Sequence, residues 1–203
     1  MIKNIGFDIG GVLTEFTWDK MMSSLFDSET EKAVTDAMWG NPDWTEFDRG
    51  ILSDEEVLQL FIKKSPQYEN AIRTVFSRLG EIPHKKEGAI PIIETLKADG
   101  YKVYYLSNYF EYLMHVAPQA LDFIPHTDGG VFSCYEHVVK PNHEIFAVLC
   151  ERYGLKAEEC IFTDDSLKNI ESAEKFGMKT ILYENQNLEK LLEEIKALAE
   201  RYK

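Results

Sequence analysis

Short apolar runs alternate with segments of helical period along most of this chain, and glycine stops three of those segments. Runs at 2–7, 102–106, 137–139, 160–163 and 179–183 have the length and continuous apolarity of strands buried on both faces. Helices are predicted over 89–99, 142–153 and 167–176. They end at Gly100, Gly154 and Gly177, each suited to a left-handed C-cap. A last helix, 188–202, carries leucines at helical spacing. Strands and helices in this order predict an α/β fold, a doubly wound parallel sheet with helices on both faces.

Residues 15–87 break the rhythm. They hold aromatic and amphipathic helical pieces and no expected strand, and Ser53-Asp54-Glu55-Glu56 forms a capping box opening a helix through Lys64. The expected division is therefore a core of 1–14 and 88–203, with 15–87 inserted as a helical lid over the end of the first strand.

Charge narrows the function. The chain has 35 Asp plus Glu against 22 Lys plus Arg, a formal net charge of −13, which disfavours nucleic acid and anionic membranes as partners. A phosphate ester would be repelled too, unless a cation, a lysine or backbone N–H groups supply local help. No apolar run reaches the ~18 residues that span a bilayer, and the start lacks a signal-peptide pattern. Cys134, Cys150 and Cys160 have no metal-site spacing and are expected as buried thiols. Together these features lead us to expect a cytoplasmic protein, where such thiols stay reduced.

Ligands of open parallel sheets bind beyond the carboxyl ends of the strands. Those ends carry Asp8-Ile9-Gly10-Gly11, then Ser107-Asn108, then Lys140-Pro141, then Asp164-Asp165-Ser166 with Asn169 in the next helix. Taken singly, each is an ordinary turn, loop start, solvated lysine or helix cap. Their ordered coincidence is what asks for chemistry. Asp8 can attack phosphorus and form an aspartyl-phosphate. Two carboxylates and the Gly10 carbonyl make the hard oxygen site that Mg²⁺ prefers. Ser107, Asn108 and Lys140 can hold the phosphoryl oxygens, and Gly10 and Gly11 let backbone N–H groups approach them.

With these four motifs in order over nearly its whole length, the sequence resembles the haloacid dehalogenase superfamily. The resemblance implies a Rossmann-like core, Asp8 as nucleophile, Ser107 and Lys140 on the phosphate and Asp165 on magnesium. It also implies that Asp164 and Asn169 support the metal site and that 15–87 is the cap. Phe47-Asp48-Arg49-Gly50-Ile51-Leu52-Ser53 looks like the cap segment of bacterial sugar-phosphate phosphatases of the α-D-glucose-1-phosphatase type. The phosphatase domain of epoxide hydrolases is similar as well.

One position departs from most family phosphatases, which carry a general-acid Asp two residues after the nucleophile. Gly10 stands there instead, as it does in the glucose-1-phosphatase-like group. A positioned acid contributes roughly 10²–10⁴-fold. Gly10 therefore favours alcohols that leave easily, or an acid supplied by the cap or the substrate, with Asp48 as a candidate beside its plainer reading as a turn residue. The leading expectation is a Mg²⁺-dependent phosphatase of small phosphorylated metabolites. Two alternatives stand beside it: a metal-independent dehalogenase using Asp8, and a non-catalytic domain that binds phosphometabolites. Clustered Asp164-Asp165 argues against the first alternative, because without a cation those carboxylates only repel an anionic substrate.

Overall fold

The computed structural model describes residues 1–39, 41–184 and 187–202. Gly40, Asn185, Gln186 and Lys203, which fall within the expected segments, lie outside the described residues. The elements run β1 (Asn4–Phe7), β2 (Thr14–Phe16), α1 (Trp18–Leu25), α2 (Ser28–Ala37), α3 (Asp43–Arg49), α4 (Asp54–Lys64), α5 (Glu69–Ser77) and β3 (Pro83–Lys85). There follow α6 (Ala89–Ala98), β4 (Lys102–Ser107), α7 (Glu111–Val116), β5 (Gly129–Phe132), α8 (Ser133–Glu136) and α9 (His143–Tyr153). The chain closes with β6 (Cys160–Asp164), α10 (Leu167–Phe176), β7 (Lys179–Leu182) and α11 (Leu188–Glu200).

Five strands form one parallel sheet in the order β5-β4-β1-β6-β7. The chain builds outward from β1 to β5 on one side, then returns past β1 to place β6 and β7 on the other. Strand order therefore reverses at β1, the place where open sheets leave a crevice for ligands. Period-two alternation covers both faces. Ile5, Val103, Tyr105 and Ile161 join the cluster containing Ile92 and Ile93 of α6 and Leu191 and Ile195 of α11. Tyr104, Leu106 and Phe162 pack with Ile145, Phe146 and Leu149 of α9 and Ala173 of α10. Gly6 leaves room for Phe162, whose ring a Cβ would meet at 3.1 Å.

The helix punctuation is as expected. Gly100, Gly154 and Gly177 all have positive φ, and the capping box at Ser53 is complete in both directions, opening α4. Such an N-cap contributes about 1 kcal/mol. The three cysteines are buried and free. No helix of the described residues is long and apolar enough to cross a membrane.

Two expectations need correction. The strand predicted at 137–139 does not form, and β5, eight residues earlier, occupies that edge instead. His137 has φ 59, a left-handed conformation incompatible with a strand. Gly129-Gly130 hid the true strand because glycine carries no strand signal. It is required there by packing: a Cβ on Gly130 would lie 2.3 Å from the Tyr105 ring, and one on Gly129 2.5 Å from the Tyr153 hydroxyl oxygen. The second correction lies in the segment where no strand was expected. β2 and β3 pair antiparallel, Thr14 opposite Lys85 and Phe16 opposite Pro83, as a two-stranded ribbon. At three residues each, one containing proline, these strands are too short to register as period-two patterns. Helices α1 to α5 lie between them in sequence.

Candidate active site

β1 delivers Asp8 at its carboxyl end, and the turn that follows keeps it in place. The Asp8 amide donates to the Thr163 carbonyl (2.8 Å), and the amides of Leu13 and Thr14 both return to the Ile9 carbonyl at 2.9 Å. Gly11 takes φ +73 within this turn, a conformation that calls for glycine, and a Cβ there would press on the Asp165 carboxyl, 2.3 Å from its Oδ2. Gly10 differs: a Cβ on it would meet nothing within 4 Å. The position where an acid is expected is open.

Two neighbouring strand ends and the loop that carries Lys140 converge on Asp8. Its Oδ1 accepts from the Ile9 amide (2.7 Å), from Ser107 Oγ at the end of β4 (2.7 Å) and from Lys140 Nζ (2.8 Å). Lys140 also donates to Asp164 Oδ2 at 2.6 Å. Asp164 accepts further from the Ser166 amide (2.8 Å) and from Asn169 Nδ2 (3.0 Å), so its oxygens are committed to orienting lysine and loop. Asn108 does not offer its side chain freely, as the sequence suggested. Its Oδ1 accepts from the Lys140 amide (2.7 Å) and its Nδ2 donates to the Lys140 carbonyl (3.0 Å), a reciprocal clamp on the loop that carries the lysine. All the residues singled out for the site thus meet at the switch point, with Asn108 and Asp164 in supporting positions.

The electrostatics follow from burial. Loss of water pushes the Asp8 carboxyl up to about 7; Lys140 opposes this, while Asp164 and Asp165 add to it. Burial alone would lower Lys140, but the Asp164 and Asp8 carboxylates outweigh it and hold the ammonium charged. Asp165 is raised by partial desolvation and by Asp164. Oxygens of Asp8, Asp164 and Asp165 all lie within 4.8 Å of one another. Three carboxylates this close, with Lys140 between the first two and half-buried Lys86 acting on Asp165 from the Gly11 turn, are a site short of positive charge.

Over the site lies a cavity of about 260 Å³. Asp8, Gly11, Ser107 and Asp165 form its floor, and Trp44 and Asp48 reach it from α3. Asp48 is buried within a helix and is not a turn residue. Burial, then the charge of Asp8, pushes it up to about 8 against the opposing pull of Lys140. Its position depends on a docking contact that the sequence did not disclose. Ser133 Oγ donates to the Asp48 carbonyl (2.6 Å) and accepts from the Tyr109 amide (2.9 Å), tying α3 to the loop after β4. Gly50, at φ +67, lets α3 approach α8 closely, since a Cβ would lie 2.6 Å from the Cys134 carbonyl oxygen. Also missed were the aromatic residues around the cavity. The only sequence signal for them was the density of aromatics at 16–44 and Tyr109-Phe110 directly after the Ser107-Asn108 motif.

Comparison with known proteins settles the family. A haloacid dehalogenase-like hydrolase model matches residues 2–177. The chain belongs to that family. This hydrolase is 24% identical over 147 residues to a flavin mononucleotide hydrolase of Arabidopsis thaliana, covering 70% of its own length and 57% of the relative's. It therefore spans little more than half of that protein. To a sesquiterpene phosphatase of Aspergillus oryzae it is 24% identical over 172 residues, 85% of each chain. Its fold matches a haloacid dehalogenase-family enzyme of Bacteroides thetaiotaomicron, solved with magnesium and inorganic phosphate. That match has a TM-score of 0.67 at 19% identity, covering 91% of the hydrolase and 95% of the neighbour.

Proposed function

We propose that this hydrolase is a Mg²⁺-dependent phosphatase of small phosphorylated metabolites that works through an aspartyl-phosphate on Asp8. One observation carries the reading: the Asp8, Asp164 and Asp165 oxygens lie within 4.8 Å of one another, with Lys140 as the ammonium between the first two. The names of the relatives support it, since flavin mononucleotide and a sesquiterpene phosphate are both phosphorylated small molecules. So does the neighbouring structure that contains magnesium and phosphate. In this reading residues 15–87 act as the cap over the site.

Hard oxygen donors with excess negative charge fit a divalent cation, and Asp8, Asp165 and the Gly10 carbonyl would hold it. Bound there, Mg²⁺ would offset the repulsion between an anionic nucleophile and an anionic ester. The chain's own groups do the rest. Ser107, Lys140 and the Ile9 amide hold Oδ1 of Asp8, leaving Oδ2 for attack. The Oδ2–phosphorus bond forms as the ester P–O bond breaks, and the leaving oxygen takes the electron pair. Water then attacks phosphorus as the Oδ2–phosphorus bond breaks, and the proton it gives up passes through solvent to the departed alkoxide. Alcohol and inorganic phosphate are released and the carboxylate is restored. Lys140, with an N–H beyond those it gives to Asp8 and Asp164, stabilises charge on the transferring group. Asp164 and Asn108 keep the lysine aimed, and Ser107 uses its one O–H to position the nucleophile.

Phosphate release from a panel of phosphorylated metabolites tests this. Activity is expected with Mg²⁺, to vanish in excess EDTA, and to vanish in Asp8→Asn, which keeps the shape but lacks the nucleophilic charge. Near-native turnover by Asp8→Asn, or full turnover in EDTA, would overturn the proposal.

A further inference from the structure

The floor and the roof of the cavity differ in chemistry. Polar groups of the floor come from the strand ends. The wall above them is built from Phe16 of β2, Trp39 after α2, Trp44 of α3, Tyr109 and Phe110 after β4, and Leu113 of α7. These rings form a connected array: Phe16–Trp39 centroids are 4.7 Å apart, Trp39–Trp44 5.0 Å, and Trp44–Phe110 5.5 Å. The Tyr109 hydroxyl is enclosed and has no hydrogen-bond partner, so the ring and not the oxygen serves the wall. Apart from the floor, to which Asn108 and Ser166 also belong, Asp48 carries the single carboxyl among the described residues lining the cavity, and none of the others is Lys, Arg, His, Asn or Gln.

Sugar and polyol phosphates carry several hydroxyls that must exchange water for protein partners on binding. This wall offers little beyond one carboxyl and two indole N–H groups, so most of those hydroxyls would lose their water unrepaid. Apolar and aromatic groups lose nothing there and stack on exposed ring faces. Trp39, 46% exposed, is the most open ring of this wall. The volume, about 260 Å³, falls below the ~300–1,000 Å³ of ordinary ligand pockets and limits the organic group to a small one.

Resting on the phosphatase reading, we infer that this site selects phosphate monoesters of small aromatic or apolar alcohols and discriminates against phosphorylated sugars. The wall from β2, α3 and the loop after β4 is the specificity element.

The test separates recognition from leaving-group chemistry by comparing two primary-alcohol esters, benzyl phosphate and glucose 6-phosphate, in Mg²⁺. Benzyl phosphate is expected to lead in kcat/KM by on the order of 100-fold. Half-exposed Trp39→Ala is expected to raise KM for benzyl phosphate roughly tenfold with kcat little changed. Trp44→Leu, a milder change in the buried part of the array, is expected to move KM in the same direction. Equal or better use of glucose 6-phosphate would overturn the inference, as would a Trp39→Ala enzyme with unaltered KM. Should no ester be hydrolysed, the phosphatase reading itself fails. Binding then decides the wall: benzylphosphonate quenching tryptophan fluorescence at lower concentration than glucose 6-phosphate supports it, and equal or reversed affinity overturns it.

Discussion

Lys140 Nζ sits 2.8 Å from Asp8 Oδ1, and the same ammonium lies 2.6 Å from Asp164 Oδ2. The lysine is 3% exposed and Asp164 is fully buried, so the three groups form a closed unit in which one positive charge serves two carboxylates. Burying such a unit is costly for each charge taken singly and is tolerable only when all partners are present.

Lys140→Met is therefore expected to abolish phosphate release and to destabilise the fold by about 3–5 kcal/mol, because two buried carboxylates lose their shared counter-charge. Chemical denaturation checks the magnitude. The double variant Lys140→Met/Asp164→Asn is expected to cost less than the sum of the single variants, since the second change removes one orphaned charge. Strict additivity would show that the lysine and Asp164 do not act as a pair.

Gly10→Asp is expected to fold normally and to gain activity on alkyl phosphates. A Cβ at Gly10 meets nothing within 4 Å, so the side chain has space where an acid is wanted. The expected gain is up to roughly 10²-fold on benzyl phosphate, with a flatter dependence of rate on leaving-group pKa across aryl phosphates. An unchanged slope in a folded, metal-binding variant would show that a carboxyl at this position does not protonate the leaving oxygen.

Asp48→Asn is expected to stabilise the metal-free protein increasingly as pH rises. The Asp48 carboxyl titrates near 3.8 in an unfolded chain and at about 8 in the fold, raised by burial and by Asp8 and opposed by Lys140. Below both values the two states are equally protonated and the group contributes nothing. Between them the unfolded chain ionises while the folded one does not, so wild type loses stability relative to the variant as pH rises. Above about 8 the difference is constant. Thermal melts in EDTA at pH 5 and pH 8 are expected to show the larger advantage of Asp48→Asn at pH 8, on the order of a few kcal/mol. Equal shifts at the two pH values would show that Asp48 is ionised in the fold.

Linear order alone was enough to read the floor of the site. In a parallel sheet every strand presents its carboxyl end on the same edge, so Asp8, Ser107 and Asp164 had to converge once their apolar runs were recognised as strands. Helix limits were equally legible, because caps and C-terminal glycines are local signals. Lys140 was also assigned to this edge, although it arrives on a loop and not from the expected strand at 137–139. That error has a physical origin: β5 is held by what Tyr105 and Tyr153 pack against, and Gly129-Gly130 reveals nothing of it until those rings are in place. Tertiary contacts alone decided the roof. Asp48 and the aromatic wall stand over Asp8 because Ser133 ties α3 to the loop after β4 and Gly50 lets α3 close on α8. The raised carboxyls of Asp8 and Asp48 follow from that closure, since desolvation depends on which surfaces meet and no local pattern encodes it.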